Sequence, residues 1–457
     1  MNKPEKPKKW SQRLYDSKND RGIWYTSSTI HILNPGQSKA QGVLTLEEAV
    51  AIGLENNYGI KLSRNTVEQA ENNHSLGNAG FLPVIDATAS RTESIEDSEF
   101  QVGGESQVTE GAESSNTNAA INFNWTLFDG LRMFSSYNRL GELRDLSEMQ
   151  LDLSQEFLVA DISLTYFNII RISEQLKILE NNIEVTEERI EIEETKVDLG
   201  SGSEYDLLQA RSDLSEDRAA YIRETNTLTE AKINLNELLG RKPGEQFEVV
   251  SEISVNRALV KEQLYQNLVE QNTELAIART QEDISELELR EIQGERYPEI
   301  SFSSGYSFNR NESGGGFFSF NETVGFSYGL TARVPIFNGF NINRRIQNAK
   351  IDYRNAEISR QQEQLRLESN FESAFRAYTN AIELVDLEEE NYQNAEETLD
   401  IALERFRLGS ISSLEFREAQ TTFLQAENRL INAKYEAKIS ETELLQLSGN
   451  IDALVVR

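Results

Sequence analysis

Four stretches of the chain alternate apolar and polar side chains with a period of two. They lie within 85–89 and 121–127 in the first half and within 300–308 and 324–334 in the second. In a strand, this alternation gives one apolar face and one polar face. Each stretch is on the order of ten residues, which suits a tilted membrane-spanning strand. The pattern predicts β-hairpins over 81–129 and 297–338, although a soluble, half-buried antiparallel sheet would alternate in the same way.

Long stretches without proline separate the hairpins and predict helices. Residues 131–199 contain no proline, and a helix of that length would measure about 100 Å. Apolar residues recur in it at intervals of seven, which favours coiled-coil packing: Ile162, Ile169, Leu176, Ile183, Ile190 and Val197. Glycine breaks near 200 and 409 predict turns at the ends of two such helices. Upstream, Thr45 and Glu48 have the spacing of a capping box and predict a helix over 44–78.

The chain contains an internal duplication. The motif Leu-Phe-Asp-Gly at 127–130 recurs as Ile-Phe-Asn-Gly at 336–339, and the Gly-Ser at 200 recurs at 409, both with an offset of 209. Upstream, Pro83 and Pro298 are 215 apart, so the first hairpin is the longer one. The predicted organisation is a polar leader over 1–41, disordered or extended, and two repeats over 42–250 and 251–457. Each repeat reads as helix, hairpin, long helix, tip and helix.

Composition narrows the class of function. The net charge is −31, with 76 acidic and 45 basic residues, which argues against a nucleic-acid partner. The absence of cysteine excludes disulfides, thiolate metal sites and a cysteine nucleophile. Neither a phosphate-binding loop nor a nucleophile elbow is visible. We therefore predict a protein that is not an enzyme and that needs no metal or other cofactor.

Four strands are too few to form a closed membrane structure in one chain. Open sheet edges are not tolerated in lipid, and membrane-spanning barrels begin at about eight strands. If the apolar faces contact lipid, several copies must share their strands. Two copies give eight strands and a packed interior, and three give twelve with room for a pore.

The order helix, hairpin, long helix and tip, present twice, resembles the outer-membrane efflux family of TolC-like channels. The likeness includes the Leu-Phe-Asp-Gly and Pro-Ile-Phe-Asn-Gly strand exits and covers about 44–449. It implies an α+β membrane protein in a Gram-negative outer membrane, in which a homotrimer forms a twelve-stranded transmembrane β-barrel and a helical tunnel across the periplasm. It also implies a passive exit duct of a tripartite efflux pump or type I secretion system, docked to a periplasmic adaptor and an inner-membrane transporter. The alternative is a soluble coiled-coil scaffold with a small β domain.

The resemblance assigns roles to individual residues. It implies an entrance gate at the periplasmic tip formed by Glu415, Glu418, Asp206 and Phe406, although a solvated helix face explains both glutamates as well. Ile411 stands where the family often has an arginine, so apolar contacts would replace a polar latch. The helical tips that would dock the adaptor are at Gly200, Ser201, Gly409 and Ser410. The side chains predicted to face lipid are Phe123, Trp125, Phe302, Tyr306, Phe326 and Tyr328. The acidic segment 94–115 is expected to be an extracellular loop.

Overall fold

The computed structural model describes residues 43–250, 252–314 and 319–454, and the predicted leader 1–41 lies outside them. The first repeat contains β1 (Val43–Leu44), α1 (Leu46–Asn56), α2 (Tyr58–Asn73), β2 (Val84–Val102), β3 (Glu105–Phe128), α3 (Arg132–Asp198), α4 (Glu204–Leu238) and β4 (Glu248–Val249). The second contains α5 (Lys261–Gln271), α6 (Thr273–Gly294), β5 (Glu299–Ser313), β6 (Phe320–Arg333), α7 (Asn341–Arg407) and α8 (Ser413–Leu447), followed by a 3-10 turn at Ile451–Leu454.

The long helices confirm the duplication. Helices α3 and α7 each have 67 residues, and α4 and α8 each have 35. In the described part of the chain, no helix is both long enough and apolar enough to cross a membrane.

The start of each repeat contains two helices, so the single helix predicted over 44–78 is wrong. The capping box is present: the Glu48 amide donates to the Thr45 hydroxyl at 3.2 Å. However, Asn57 is extended (φ −57°, ψ 132°) and separates α1 from α2. Its side-chain amide donates to the Leu238 carbonyl at 2.9 Å, which ties this break to the end of α4. Asn272 makes the equivalent bond to the Leu447 carbonyl at 3.0 Å.

The four long strands form one antiparallel sheet in the order β2-β3-β5-β6. Segment 94–115 is not the predicted loop, because β2 and β3 stay paired from Ser94↔Ser114 to Val102↔Glu105. A two-residue turn at Gly103 and Gly104 closes the hairpin, and both have positive φ (63° and 94°), as tight hairpin turns require. The hairpin therefore continues beyond the last β3–β5 pair, Ser114↔Ser313.

Two compact units divide the chain, and each takes segments from both repeats. Among described residues, the first unit comprises 43–64, 150–250, 252–276 and 363–454. Its core buries side chains of both repeats, among them Ile162, Leu235, Leu268 and Phe371. The second unit comprises the described residues 65–149, 277–314 and 319–362 and contains the four-stranded sheet.

Candidate functional site: helical tips and apolar sheet face

The sheet in the second unit has one face rich in aromatic and aliphatic side chains. Tyr306 lies directly opposite Ile121 on one neighbouring strand and Phe326 on the other. Because directly paired residues point to the same side, the register places all six predicted residues on one face: Phe123, Trp125, Phe302, Tyr306, Phe326 and Tyr328. Phe326 and Tyr328 are 67% and 76% exposed in the single chain. These large apolar side chains form a continuous band, here called the apolar band. An exposed apolar surface of this kind is typical of a site that contacts lipid or another protein chain.

The apolar band has a polar boundary. Two rows further along the same face, Arg310 forms ion pairs with Glu312 and, at 4.0 Å, with Glu322. The opposite face consists of small and polar residues, such as Asn122, which donates to Asp86 at 2.9 Å. One face of the sheet thus has an apolar strip that ends at charged side chains. The opposite face of the sheet is hydrophilic.

Both edges of this sheet are open. Within the residues that the structure describes, β2 pairs only with β3, and β6 pairs only with β5. An open edge presents unpaired backbone donors and acceptors, which in lipid would cost several kcal/mol each. The edges therefore need further strands if the apolar band lies in a membrane.

The two helical tips, in the first unit, are built alike. Gly200 and Gly409 follow the last helical residues with φ of 73° and 71°. The Ser201 and Ser410 amides donate to carbonyls five residues earlier, both at 2.9 Å, as in a Schellman cap. Both serine hydroxyls donate to the same carbonyls. Glycine is required here because a side chain disfavours positive φ.

Glu415 lies in the first turn of α8 and closes a capping box. Its carboxylate accepts from the Ser412 amide at 2.7 Å and from the Ser412 hydroxyl at 2.8 Å. These hydrogen bonds lower the pKa of Glu415 below its usual value. Glu415 and Glu418 are exposed, and Asp206 is half-buried in the first turn of α4. A charged, solvent-facing first turn is compatible with a gate and with a plain helix cap.

Phe406 is fully buried in the chain. Its ring stacks on Phe416 with centroids 4.9 Å apart and an interplanar angle of 10°. The Lys196 ammonium lies 3.7 Å from the Phe406 ring centroid, at cation–π distance. Ile411 packs against the same cluster. Phe406 therefore acts on the tip through packing between α3, α7 and α8.

A buried ionic cluster near the tips was not predicted from the sequence. Arg189, 1% exposed, donates to Asp213 at 2.8 Å and to the Ser413 hydroxyl at 3.1 Å. Arg417 donates to Asp217 at 3.1 Å and lies 3.7 Å from Asp213. The cluster joins α3 and α4 of the first repeat to α8 of the second. In sequence, a polar stripe on a helix is indistinguishable from a solvated face.

A second group of acidic side chains lies between α7 and α8. Burial and the nearby carboxylate of Glu396 raise the pKa of Glu427 to about 7. Tyr392 donates to Glu396 at 3.1 Å, and burial raises the pKa of Tyr392 to about 12. The described residues contain no group of three or more histidine, aspartate or glutamate side chains arranged to hold a metal ion.

Comparison with known proteins gives a consistent picture. The family model for outer membrane efflux proteins matches residues 52–241 and 264–450. The chain is 23% identical to the probable outer membrane lipoprotein SilC of Salmonella typhimurium, over 87% of this chain and 84% of that protein. It is 18% identical to TolC of Escherichia coli K12, over 75% of this chain and 71% of that protein.

Solved structures share the fold. The CmeC outer membrane channel of Campylobacter jejuni aligns with a TM-score of 0.73 at 18% identity, over 94% of both chains. The outer-membrane channel OprN aligns with a TM-score of 0.72 at 19% identity, over 89% of this chain and 90% of that one. Since the family model matches both repeats and most of the chain, this protein belongs to the outer membrane efflux protein family and is an outer-membrane efflux channel of the kind found in Gram-negative bacteria.

Proposed function

We propose that three copies of this chain assemble into a passive exit duct for a tripartite export system. In this assembly the strands form a twelve-stranded barrel in the outer membrane, and the helical tips dock a periplasmic adaptor that joins the duct to an inner-membrane transporter. The family is non-enzymatic, in agreement with the prediction from sequence. The observation that carries the proposal is the apolar sheet face between two open edges.

The strand count supports three copies. Each copy supplies four long strands with open edges at β2 and β6. Two copies would give a barrel of eight strands, and side chains fill the interior of a barrel of that size. Three copies would give twelve strands and leave space for a path. The small and polar face of the sheet then lines that path, and the apolar band contacts lipid.

The helical tips supply an entrance and a docking surface. Three copies of Glu415 and Glu418 would place six carboxylates around the entrance, which attract cations and repel one another. The turns at Gly200–Ser201 and Gly409–Ser410 present exposed leucines beside them, Leu199 at 77% and Leu408 at 81% exposure. Exposed apolar side chains beside rigid turns suit an adaptor.

The duplication predicts which residues pair between copies. Phe123 lies opposite Ser304 where the two repeats meet inside the sheet. With offsets of 209 and 215, the equivalent residues at the open edges are Ala332 and Ala89. Because the natural chain has no cysteine, an Ala332→Cys, Ala89→Cys variant allows specific cross-linking. On oxidation in membranes, we expect covalent dimers and trimers and no larger species, since a closed ring of three has no free edge.

The matched control is Thr331→Cys with Ala89→Cys. Thr331 is adjacent to Ala332 and points to the other face, so this pair should not cross-link. Cross-linking that ends at the dimer would contradict the trimer, and a control that reacts equally would contradict the proposed pairing of Ala332 with Ala89 between copies. For the entrance, Glu418→Gln is the cleaner variant because Glu415 also caps α8. It should weaken cation block of single-channel current, and unchanged block would remove Glu418 from the gate.

A further inference from the structure

The polar face of the sheet, opposite the apolar band, carries very few charged side chains. In the proposed trimer this face lines the path. From the row of Ser94 to the row of Ser301, Asp86 is its one charged residue among the residues that the structure describes. The next row beyond Ser301 pairs Glu299 with Arg333. This face is therefore nearly uncharged over most of its length.

Asp86 and Arg333 have opposite charges and lie on the two open edge strands, β2 and β6. The Asn122 amide donates to one carboxylate oxygen of Asp86 at 2.9 Å, and the other oxygen has no hydrogen-bond partner in the described part of the chain. Arg333 is exposed and has neither a hydrogen bond nor an ion pair to any described residue. Its neighbour on β5, Glu299, instead lies 3.5 Å from Arg132. Each open edge thus carries a charge that could bind an opposite charge outside the chain.

The two charges cannot meet within one chain. Asp86 lies in the row of Gly305 and Ser327, so three strand spacings separate it from β6, which amounts to about 14 Å. Arg333 is six residues from Ser327 along β6, which adds about 20 Å in the perpendicular direction. The side chains of an arginine and an aspartate are too short to span that separation. A charged partner for either residue on this face must therefore come from another copy.

The duplication places the two charges close together where β6 of one copy meets β2 of the next, here called the copy junction. The pairing proposed above, Ala332 with Ala89, runs antiparallel. It therefore sets Arg333 opposite Thr88 of the neighbouring copy. Asp86 is two residues further along the same face, at a diagonal position about 7–8 Å away, which a long side chain can reach.

The equivalent junction inside the chain is neutral. There, β3 of the first repeat pairs with β5 of the second. The offset of 209 gives Asn124 as the equivalent of Arg333, and the offset of 215 gives Ser301 as the equivalent of Asp86. The two opposite charges thus occur at the copy junction and not at its counterpart within the chain, which favours a role in joining copies.

We propose that Arg333 of one copy and Asp86 of the next form an ion pair in the wall of the path and thereby stabilise the copy junction. This inference rests on the proposed trimeric duct, and the partner is a second copy of this chain. Asn122 is a positioning residue, because its amide holds one oxygen of the Asp86 carboxylate and leaves the other available. Since the two charges lie at opposite edges of each copy, a closed ring of three contains three such pairs.

The test measures how fast the purified trimer dissociates in detergent, at a temperature where the natural trimer separates within minutes. Removing one copy breaks two copy junctions, so Asp86→Asn and Arg333→Gln should each speed dissociation about 2-fold to 30-fold. The double variant should dissociate no faster than either single variant, because the first change already breaks the pair. These differences from the natural chain should disappear in about 1 M salt, which screens exposed charges.

A charge swap separates pairing from the presence of either charge. Asp86→Arg alone places two arginines at each copy junction and should dissociate fastest. Adding Arg333→Asp restores opposite charges and should return dissociation to the natural rate. The matched control is Glu299→Gln, because Glu299 lies opposite Arg333 within its own chain and pairs with Arg132. It should leave the rate unchanged.

Additive effects of the two neutral changes would overturn the inference, as would a natural rate in both or a swapped chain that dissociates as fast as Asp86→Arg alone. The neutral variants decide the inference even if the swapped chain fails to assemble. The cross-link between Ala332→Cys and Ala89→Cys tests the trimer without changing either charge. A chain that gives no cross-linked trimer would refute the proposed function, whereas trimers with additive charge effects would refute only the ion pair.

Discussion

Removing the Phe406 ring tests whether the tip is held by packing. Phe406 and Phe416 are both fully buried and stacked. Phe406→Ala removes a buried ring and should lower the stability of the tip by about 3–5 kcal/mol. Part of this loss comes from the cavity, which neighbouring side chains fill only partly. Lost stacking contributes about 0.5–1.5 kcal/mol within that range. The loss should appear as local opening of the tip, since the cluster around Phe406 is separate from the main core.

Hydrogen–deuterium exchange in detergent measures this opening. The Gly409 and Ser410 amides donate to the carbonyls of Phe406 and Arg405, so they report on the cap directly. A loss of 3–5 kcal/mol corresponds to exchange about 100-fold to 4,000-fold faster. The control is Leu408→Ala, because Leu408 is 81% exposed and should change stability by less than about 0.5 kcal/mol. Equal exchange in the two variants would refute the packing argument and favour a Phe406 side chain that faces the path.

Three further predictions concern pH, turns and caps. The raised pKa of Glu427 means that its charged form destabilises the folded protein. The melting temperature of the natural chain should therefore fall as pH rises from about 4.5 through about 7, and Glu427→Gln should remove this fall. Gly130→Ala should destabilise the protein by about 2–5 kcal/mol in thermal unfolding, since its new Cβ would clash with the backbone oxygen of Gly294. Gly339→Ala should cost only about 1 kcal/mol, because its new Cβ would make an ordinary contact with the Asn341 side chain. Ser412→Ala should cost about 1 kcal/mol and Ser203→Ala almost nothing, because only Ser412 forms a side-chain cap.

Local signals in the sequence were sufficient to predict the helical tips and the apolar face of the sheet. The predicted tips at Gly200 and Gly409 agree with the structure because a cap glycine is decided by backbone sterics within a few residues. The shared face of Phe123 and Phe302 follows from alternation alone. The break at Asn57 was missed because its reason is distant: its side chain bonds to Leu238, 181 residues away.

The heptad pattern illustrates where sequence reasoning fails. Ile162 and Ile169 are buried as predicted, but Ile183 and Ile190 are only half-buried, and Thr186 and Arg189 occupy the interior beside them. Ile183 and Ile190 form an apolar stripe on α3, and Thr186 and Arg189 form a polar one. Which of the two stripes is buried depends on which neighbouring helix supplies complementary side chains. Asp213 and Asp217 make the polar stripe the buried one, and no pattern within α3 indicates that.

The division of the chain into two units that each draw on both repeats has a consequence for biosynthesis. Neither half of the polypeptide encodes a complete unit, so the first repeat emerges without the side chains that complete its core. At about 5–20 residues per second, the matching segment follows about 10–40 s later. During that interval the nascent chain exposes Ile162 and Leu235, and we expect holdase chaperones to bind this half in preference to the second.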